Sequence, residues 1–81
     1  MKIMENKIKN ICIIGFGNLG KQIAERAALY DYKVTIYDID QKGIKDFVDD
    51  ARLRIKERGS NGDIFNKTSF NEAVKNADLI I

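Results

Sequence analysis

Three observations predict an α/β fold built on a doubly wound parallel sheet. An apolar run, Ile11-Cys12-Ile13-Ile14, passes directly into Gly15-Phe16-Gly17-Asn18-Leu19-Gly20. A helix-period pattern follows at once. A second β-rich run, Val34-Thr35-Ile36-Tyr37, then ends in Asp38, 18 residues after Gly20. Strand and helix patterns alternate through the rest of the chain, and that alternation marks a parallel sheet with helical crossovers.

The first strand is expected over about Lys9 to Ile14. It is apolar at every inner position, as a strand covered on both faces must be. Its exit is a G-x-G-x-x-G turn lying between strand and helix, the context in which this motif points to a dinucleotide. Gly15 permits the tight turn, Gly17 lets a pyrophosphate approach the backbone, and Gly20 allows close packing of helix on strand. The helix start offers unpaired N–H groups and the positive end of its dipole to the phosphates. Phe16, Asn18 and Leu19, which complete the turn, are assigned to the same cofactor site.

The first helix is expected from Asn18 to about Tyr30. Its sheet-facing rows are Leu19, Ile23, Ala27 and Gly20, Ala24, Ala28, spaced at i, i+4 and mostly small. Lys21, Gln22, Glu25 and Arg26 take the other side. Asp31-Tyr32 is a short connection. The second strand, about Lys33 to Tyr37, delivers Asp38 to the position where an acid accepts hydrogen bonds from the adenosine ribose. A carboxylate there repels a 2′-phosphate and favours NAD over NADP. A turn-forming role for Asp38 at the head of Asp38-Ile39-Asp40 is the alternative. Ile39 is a candidate wall of the adenine pocket, with core filling as its alternative role.

A second helix is expected from about Gln41 to Arg58, with Asp40 as N-cap. Ile44, Phe47, Val48, Ala51 and Ile55 form its apolar stripe. Asp46, Asp49 and Asp50 come early, and Arg52, Arg54, Lys56 and Arg58 come late. This order suits the helix dipole, so the basic end is read as a solvated face and not a nucleic-acid patch. Gly59 ends the helix, Gly59-Ser60-Asn61-Gly62 is a loop, and Asp63-Ile64-Phe65-Asn66 is a brief strand. Ser69-Phe70-Asn71-Glu72 has the S-x-x-E form of a capping box and opens a short helix to about Asn76. Ala73, Val74 and Ala77 face the core, and Asp78-Leu79-Ile80-Ile81 begins a fourth strand. Right-handed crossovers then give the spatial order third, second, first, fourth. This is the first βαβαβαβ half of a Rossmann-like sheet, with the sequence ending in the fourth strand.

Composition limits the chemistry. Eighty-one residues make one small domain over 1–81, with 1–8 expected to be a frayed lead-in. A chain of this length buries only about 60–65% of its extended surface, so modest stability is expected. The formal charge of +2, with basic and acidic residues interspersed, argues against a nucleic-acid partner. No apolar run has the length of a membrane span and the opening residues lack a secretory pattern, so a cytoplasmic protein is expected. The one cysteine, Cys12, lies inside the first strand and reads as a buried small hydrophobe, not a reactive thiol or metal ligand. There is no histidine, so the usual general base and metal ligand are both missing from this chain. No catalytic and no metal-binding residue is assigned.

The passages Ile13-Ile14-Gly15-Phe16-Gly17-Asn18-Leu19-Gly20-Lys21-Gln22-Ile23-Ala24 and Lys33-Val34-Thr35-Ile36-Tyr37-Asp38-Ile39 resemble the NAD-binding domain of 3-hydroxyacyl-CoA dehydrogenases. The closing Phe70-Asn71-Glu72-Ala73-Val74-Lys75-Asn76-Ala77-Asp78-Leu79-Ile80-Ile81 resembles that family's approach to its fourth strand. The first two passages are also similar to 3-hydroxyisobutyrate and 6-phosphogluconate dehydrogenases. The resemblance implies NAD binding through Gly15, Gly17, Gly20 and Asp38. It also implies an oxidoreductase that, in a complete relative, acts on a 3-hydroxyacyl-CoA. The family's catalytic histidine and acidic partner lie beyond the fourth strand, outside this sequence. So does the helical C-terminal domain. The helical excursion that relatives carry before the third strand is replaced here by the loop from Gly59 to Asp63. Two further readings stay open at this stage: a non-catalytic nucleotide-sensing module, and a degenerate domain serving only in assembly. An incomplete sheet is further expected to expose an apolar edge at the fourth strand, through which the chain would self-associate.

Overall fold

Ile11 and Ile13 lie on one face of the first strand and Cys12 on the other, and this alternation organises the molecule. The computed structural model describes residues 8–81, so the lead-in expected over 1–8 falls, apart from Ile8, outside the described residues. The elements are β1 (Asn10–Ile14), α1 (Asn18–Leu29), β2 (Lys33–Tyr37), α2 (Ile44–Glu57), β3 (Asp63–Asn66), α3 (Phe70–Val74) and β4 (Leu79–Ile80). All strand pairs are parallel and the sheet order is β3-β2-β1-β4, as the crossover rule requires.

Strand register aligns the apolar positions. Ile11 is paired with Val34 and Ile13 with Ile36, while Val34 is in turn paired with Ile64. These side chains share one face, since residues two apart on a strand point the same way. Ala24 and Ala28 of α1 and Ile44, Val48, Ala51 and Ile55 of α2 close over them. Ile36, Ile44, Ile55 and Ile64 are fully buried, each contributing roughly 1.5–3 kcal/mol by leaving water. The opposite face carries Cys12, Thr35 and Tyr37. The Tyr37 ring meets Phe70 of α3 edge-on, with centroids 5.8 Å apart. Burial raises the Cys12 thiol pKa, consistent with an inert core residue.

The first helix follows its expected rows with one exception. Ala24 and Ala28 are fully buried and Ile23 and Ala27 half-buried, but Leu19 is 70% exposed. Leu19 stands in the first turn of α1, on the side away from the close Gly20–Gly15 approach. Glu25 of α1 accepts two hydrogen bonds of 2.7 Å from the Arg54 guanidinium of α2. That fork joins the two helices and holds the Glu25 carboxyl below its usual pKa, mainly through the bond from Arg54.

The start of α2 differs from expectation. The helix begins at Ile44, not Gln41, and its N-cap is Gly43 in the left-handed region (φ 82°), not Asp40. The carboxylate of Asp40 instead accepts from the Lys42 N–H at 3.0 Å, closing a turn of its own. Residues 38–43 are therefore spent on a turn, for a reason that lies at the candidate site. At α3 the expected cap is present: the Ser69 hydroxyl accepts from the Glu72 N–H at 3.4 Å. Asp78, just before β4, accepts from the N–H groups of Lys9 and Asn10, both at 2.9 Å. It thereby clips the last strand to the start of β1. Among the described residues no helix is long and apolar enough to cross a membrane.

Candidate functional site

β1 and β2 end side by side, with Ile14 paired to Tyr37, so the residues that follow each strand meet at the same edge of the sheet. The Gly15 N–H donates to the Tyr37 carbonyl at 2.8 Å, extending the ladder one residue into the turn. Gly15 then takes φ +119°, a region side-chain-bearing residues rarely enter. Gly17 is the N-cap of α1 with an extended backbone (φ −85°, ψ −179°), and its carbonyl accepts the Lys21 N–H at 3.0 Å. The N–H groups of Asn18, Leu19 and Gly20 precede that first bond and have no acceptor within the helix. They lie at the positive end of a 12-residue helix that has no acidic residue in its first turn.

The glycines of the turn are required in different ways. A Cβ on Gly20 would sit 2.6 Å from the Gly15 carbonyl oxygen, so this glycine is needed by the fold itself. A Cβ on Gly17 would meet nothing within 4 Å, and its backbone angles suit any residue. The protein alone gives no reason for glycine at position 17. The open space beside it fits a group that approaches the backbone closely, as a pyrophosphate does.

Asp38 stands across from the turn. One carboxylate oxygen accepts from the Phe16 N–H at 2.8 Å and the other from the Asp40 N–H at 2.9 Å. These bonds, the one from Asp40 foremost, hold the carboxyl below the usual aspartate pKa, so it is ionised at neutral pH. The side-chain amide of Gln41 donates to the Asp38 carbonyl. Asp38 thus joins the glycine turn to the β2–α2 turn, which is why α2 starts three residues later than its sequence pattern suggests. Of the two roles weighed for Asp38, the turn-forming one is present in these bonds, and each carboxylate oxygen that takes one N–H keeps a further lone pair. Ile39, next in the chain, is 89% exposed, which excludes the core-filling role.

Phe16 fastens the turn to α2. Its ring packs edge-on against Phe47, with centroids 5.6 Å apart, and its Cε2 is 3.6 Å from where a Cβ of Gly43 would be. The structure therefore brings together Gly15, Phe16, Gly17, Asn18, Gly20 and Asp38, while Leu19 and Ile39 stand exposed on the rim of the same crest. Sequence reading missed Gln41, Gly43 and Phe47 as supports of this crest. The spacing Asp38-x-Asp40-x-Lys42 was the available signal, since aspartates two residues apart commonly close successive turns. Two hollows, of about 630 and 460 Å³, lie elsewhere, beside Lys33 and Asn61 and along α1.

Comparison with known proteins agrees with this geometry. The sequence pattern of the 3-hydroxyacyl-CoA dehydrogenase NAD binding domain matches residues 10–81. A 3-hydroxyadipyl-CoA dehydrogenase of Escherichia coli (strain K12) is 30% identical over 61 residues, which is 75% of this chain and 13% of that protein. Among solved structures, Cryptosporidium parvum malate dehydrogenase superposes with a TM-score of 0.82 at 27% identity, covering 90% of this chain and 23% of that one. A diketoreductase acting on dicarbonyl compounds superposes with a TM-score of 0.63 at 31% identity, covering 94% and 31%. The chain thus spans well under half the length of each of these three proteins. With nearly its whole described length matched, this chain belongs to the family of 3-hydroxyacyl-CoA dehydrogenase NAD-binding domains, and its cofactor is NAD.

Proposed function

We propose that this chain is the cofactor-holding portion of a 3-hydroxyacyl-CoA dehydrogenase-like oxidoreductase, with the residues that act on the substrate lying outside it. The observation that carries the reading is the pairing of an open Gly17 with an ionised Asp38 tied to the same turn. In this reading the pyrophosphate lies over Gly15 to Gly20 and takes the N–H groups of Asn18, Leu19 and Gly20. The adenosine ribose hydroxyls donate to the free lone pairs of Asp38, and Ile39 covers one side of the adenine. NAD supplies the hydride acceptor, while these residues bind and orient it. Cytoplasmic acyl-CoA oxidation is the metabolic setting this reading implies.

NAD is expected to bind more tightly than NADP, because a 2′-phosphate would meet the Asp38 carboxylate. Asp38→Ala should weaken NAD about tenfold or more, the scale of a lost charged hydrogen bond, and narrow the preference. Calorimetry with both cofactors checks this, and equal affinities in the unaltered protein would reject the ribose assignment. This chain by itself is expected to show no turnover. Proton removal from a substrate hydroxyl needs a positioned base, and no histidine is present. Self-association along β4 belongs to the same proposal, since Leu79, Ile80 and Ile81 are 39%, 53% and 51% exposed. An NADH absorbance assay with 3-hydroxybutyryl-CoA, run beside sedimentation, tests both; turnover by a monomer would overturn them.

A further inference from the structure

Lys21 immediately follows Gly20 and is half-buried, although sequence periodicity placed it on the polar side of α1. Its ammonium lies 4.5 Å from the centroid of the Phe16 ring and 6.0 Å from that of Phe47. Phe16 is the residue between the first two glycines of the turn. The charge is therefore held on the flank of the crest that faces α2, the flank on which Asp38 reaches the Phe16 N–H. Three cations of α2 have carboxylate partners instead: Lys45 with Asp49, Arg52 with Asp63 and Arg54 with Glu25.

We propose that Lys21 is a phosphate-binding residue of the dinucleotide site, resting on Phe16 when no anion is bound and turning to a pyrophosphate oxygen when one is. The inference rests on the NAD reading above. An ammonium over an aromatic face is held weakly, whereas its bond to a phosphate oxygen is charge-assisted and stronger. The stem is a flexible four-carbon chain, so the exchange needs side-chain rotation and no movement of α1. The group offers only donors, which suits a phosphate and not the ribose hydroxyls that Asp38 is placed to accept from. Asp38 and Lys21 would then divide the ligand between them, one selecting the sugar and the other the phosphates.

The test compares NAD with adenosine, which has no phosphate, in the unaltered protein and in Lys21→Gln and Lys21→Arg. Lys21→Gln should weaken NAD about tenfold, the scale of one charge-assisted bond. It should leave adenosine unchanged, and Lys21→Arg should retain most of the NAD affinity. The gap between the unaltered protein and Lys21→Gln should close as salt is raised. Equal weakening of NAD and adenosine would overturn the proposal, since Lys21 would then merely support Phe16. Unchanged NAD affinity in Lys21→Gln would overturn it as well, while leaving the dinucleotide reading intact. Failure of the unaltered protein to bind NAD would reject that reading and this proposal together. Should Lys21→Gln not fold, the salt dependence of NAD against adenosine in the unaltered protein decides: matching dependences reject a phosphate role.

Discussion

Gly17 and Gly62, at opposite ends of the sheet, stand in opposite surroundings. At the crest, where β1 and β2 end, Gly17 faces open space. At the other end, where β2 and β3 begin, a Cβ on Gly62 would lie 2.0 Å from the Ala28 carbonyl oxygen and 2.7 Å from that of Tyr32. Around Gly62 the chain is tightly clamped. The Ser60 hydroxyl donates to the Ala28 carbonyl at 2.6 Å and accepts from the Gly62 N–H at 2.9 Å. Asp31, in the left-handed region at φ 75°, accepts from the Asn61 N–H at 2.9 Å. These bonds satisfy the end of α1 and fasten it to the loop before β3. One end is thus closed upon itself by protein atoms, and the other leaves the first N–H groups of α1 without an acceptor in the helix. The difference teaches which glycine the fold itself requires and which it does not, a distinction that composition alone does not draw.

The comparison breaks most visibly under paired substitutions. Gly62→Ala should cost roughly 3 kcal/mol, the scale of severe overpacking against backbone, which is a large share of a small domain's stability. Gly17→Val should cost about 1 kcal/mol at most, as an unfavourable N-cap residue, yet abolish NAD binding. Urea denaturation and calorimetry on both variants check the contrast. If Gly62→Ala proves as stable as the unaltered protein, the clamp is misread; if Gly17→Val still binds NAD, the cradle is.

A smaller effect concerns acid. Asp38, Asp78 and Glu25 all have pKa values lowered in the folded state, by N–H groups in the first two cases and by Arg54 in the third. Each therefore stabilises the fold above the unfolded carboxylate values of about 4 and loses that contribution as pH falls through the depressed folded values. Stability should be flat with respect to these groups near neutrality and decline only on the acid side. Asp38→Asn should flatten part of that decline, because a carboxamide oxygen still accepts an N–H but does not titrate there. Thermal midpoints measured across the acid range test this, and an unchanged slope in Asp38→Asn would show that the carboxylate does not hold the turn.

What the sequence determined by itself was local and periodic. The apolar run before Gly15, the small-residue rows of α1, the stripe from Ile44 to Ile55 and the Ser69 cap each arise from residues a turn or two apart. Their order implied the sheet order through the handedness of crossovers. The position of Asp38 after β2 was legible for the same reason. Tertiary structure alone decided what residues far apart in sequence do on meeting. Asp38 finds the Phe16 N–H 22 residues away and also accepts from the Asp40 N–H in the turn that follows it, and α2 starts only at Ile44. Ser60 finds Ala28 across 32 residues and makes Gly62 indispensable. Leu19 satisfies the helical period yet stays in water, at 70% exposure. Periodicity records which face of an element is apolar, but a hydrogen bond or a steric contact between distant residues has no period and exists only once the sheet has brought them together.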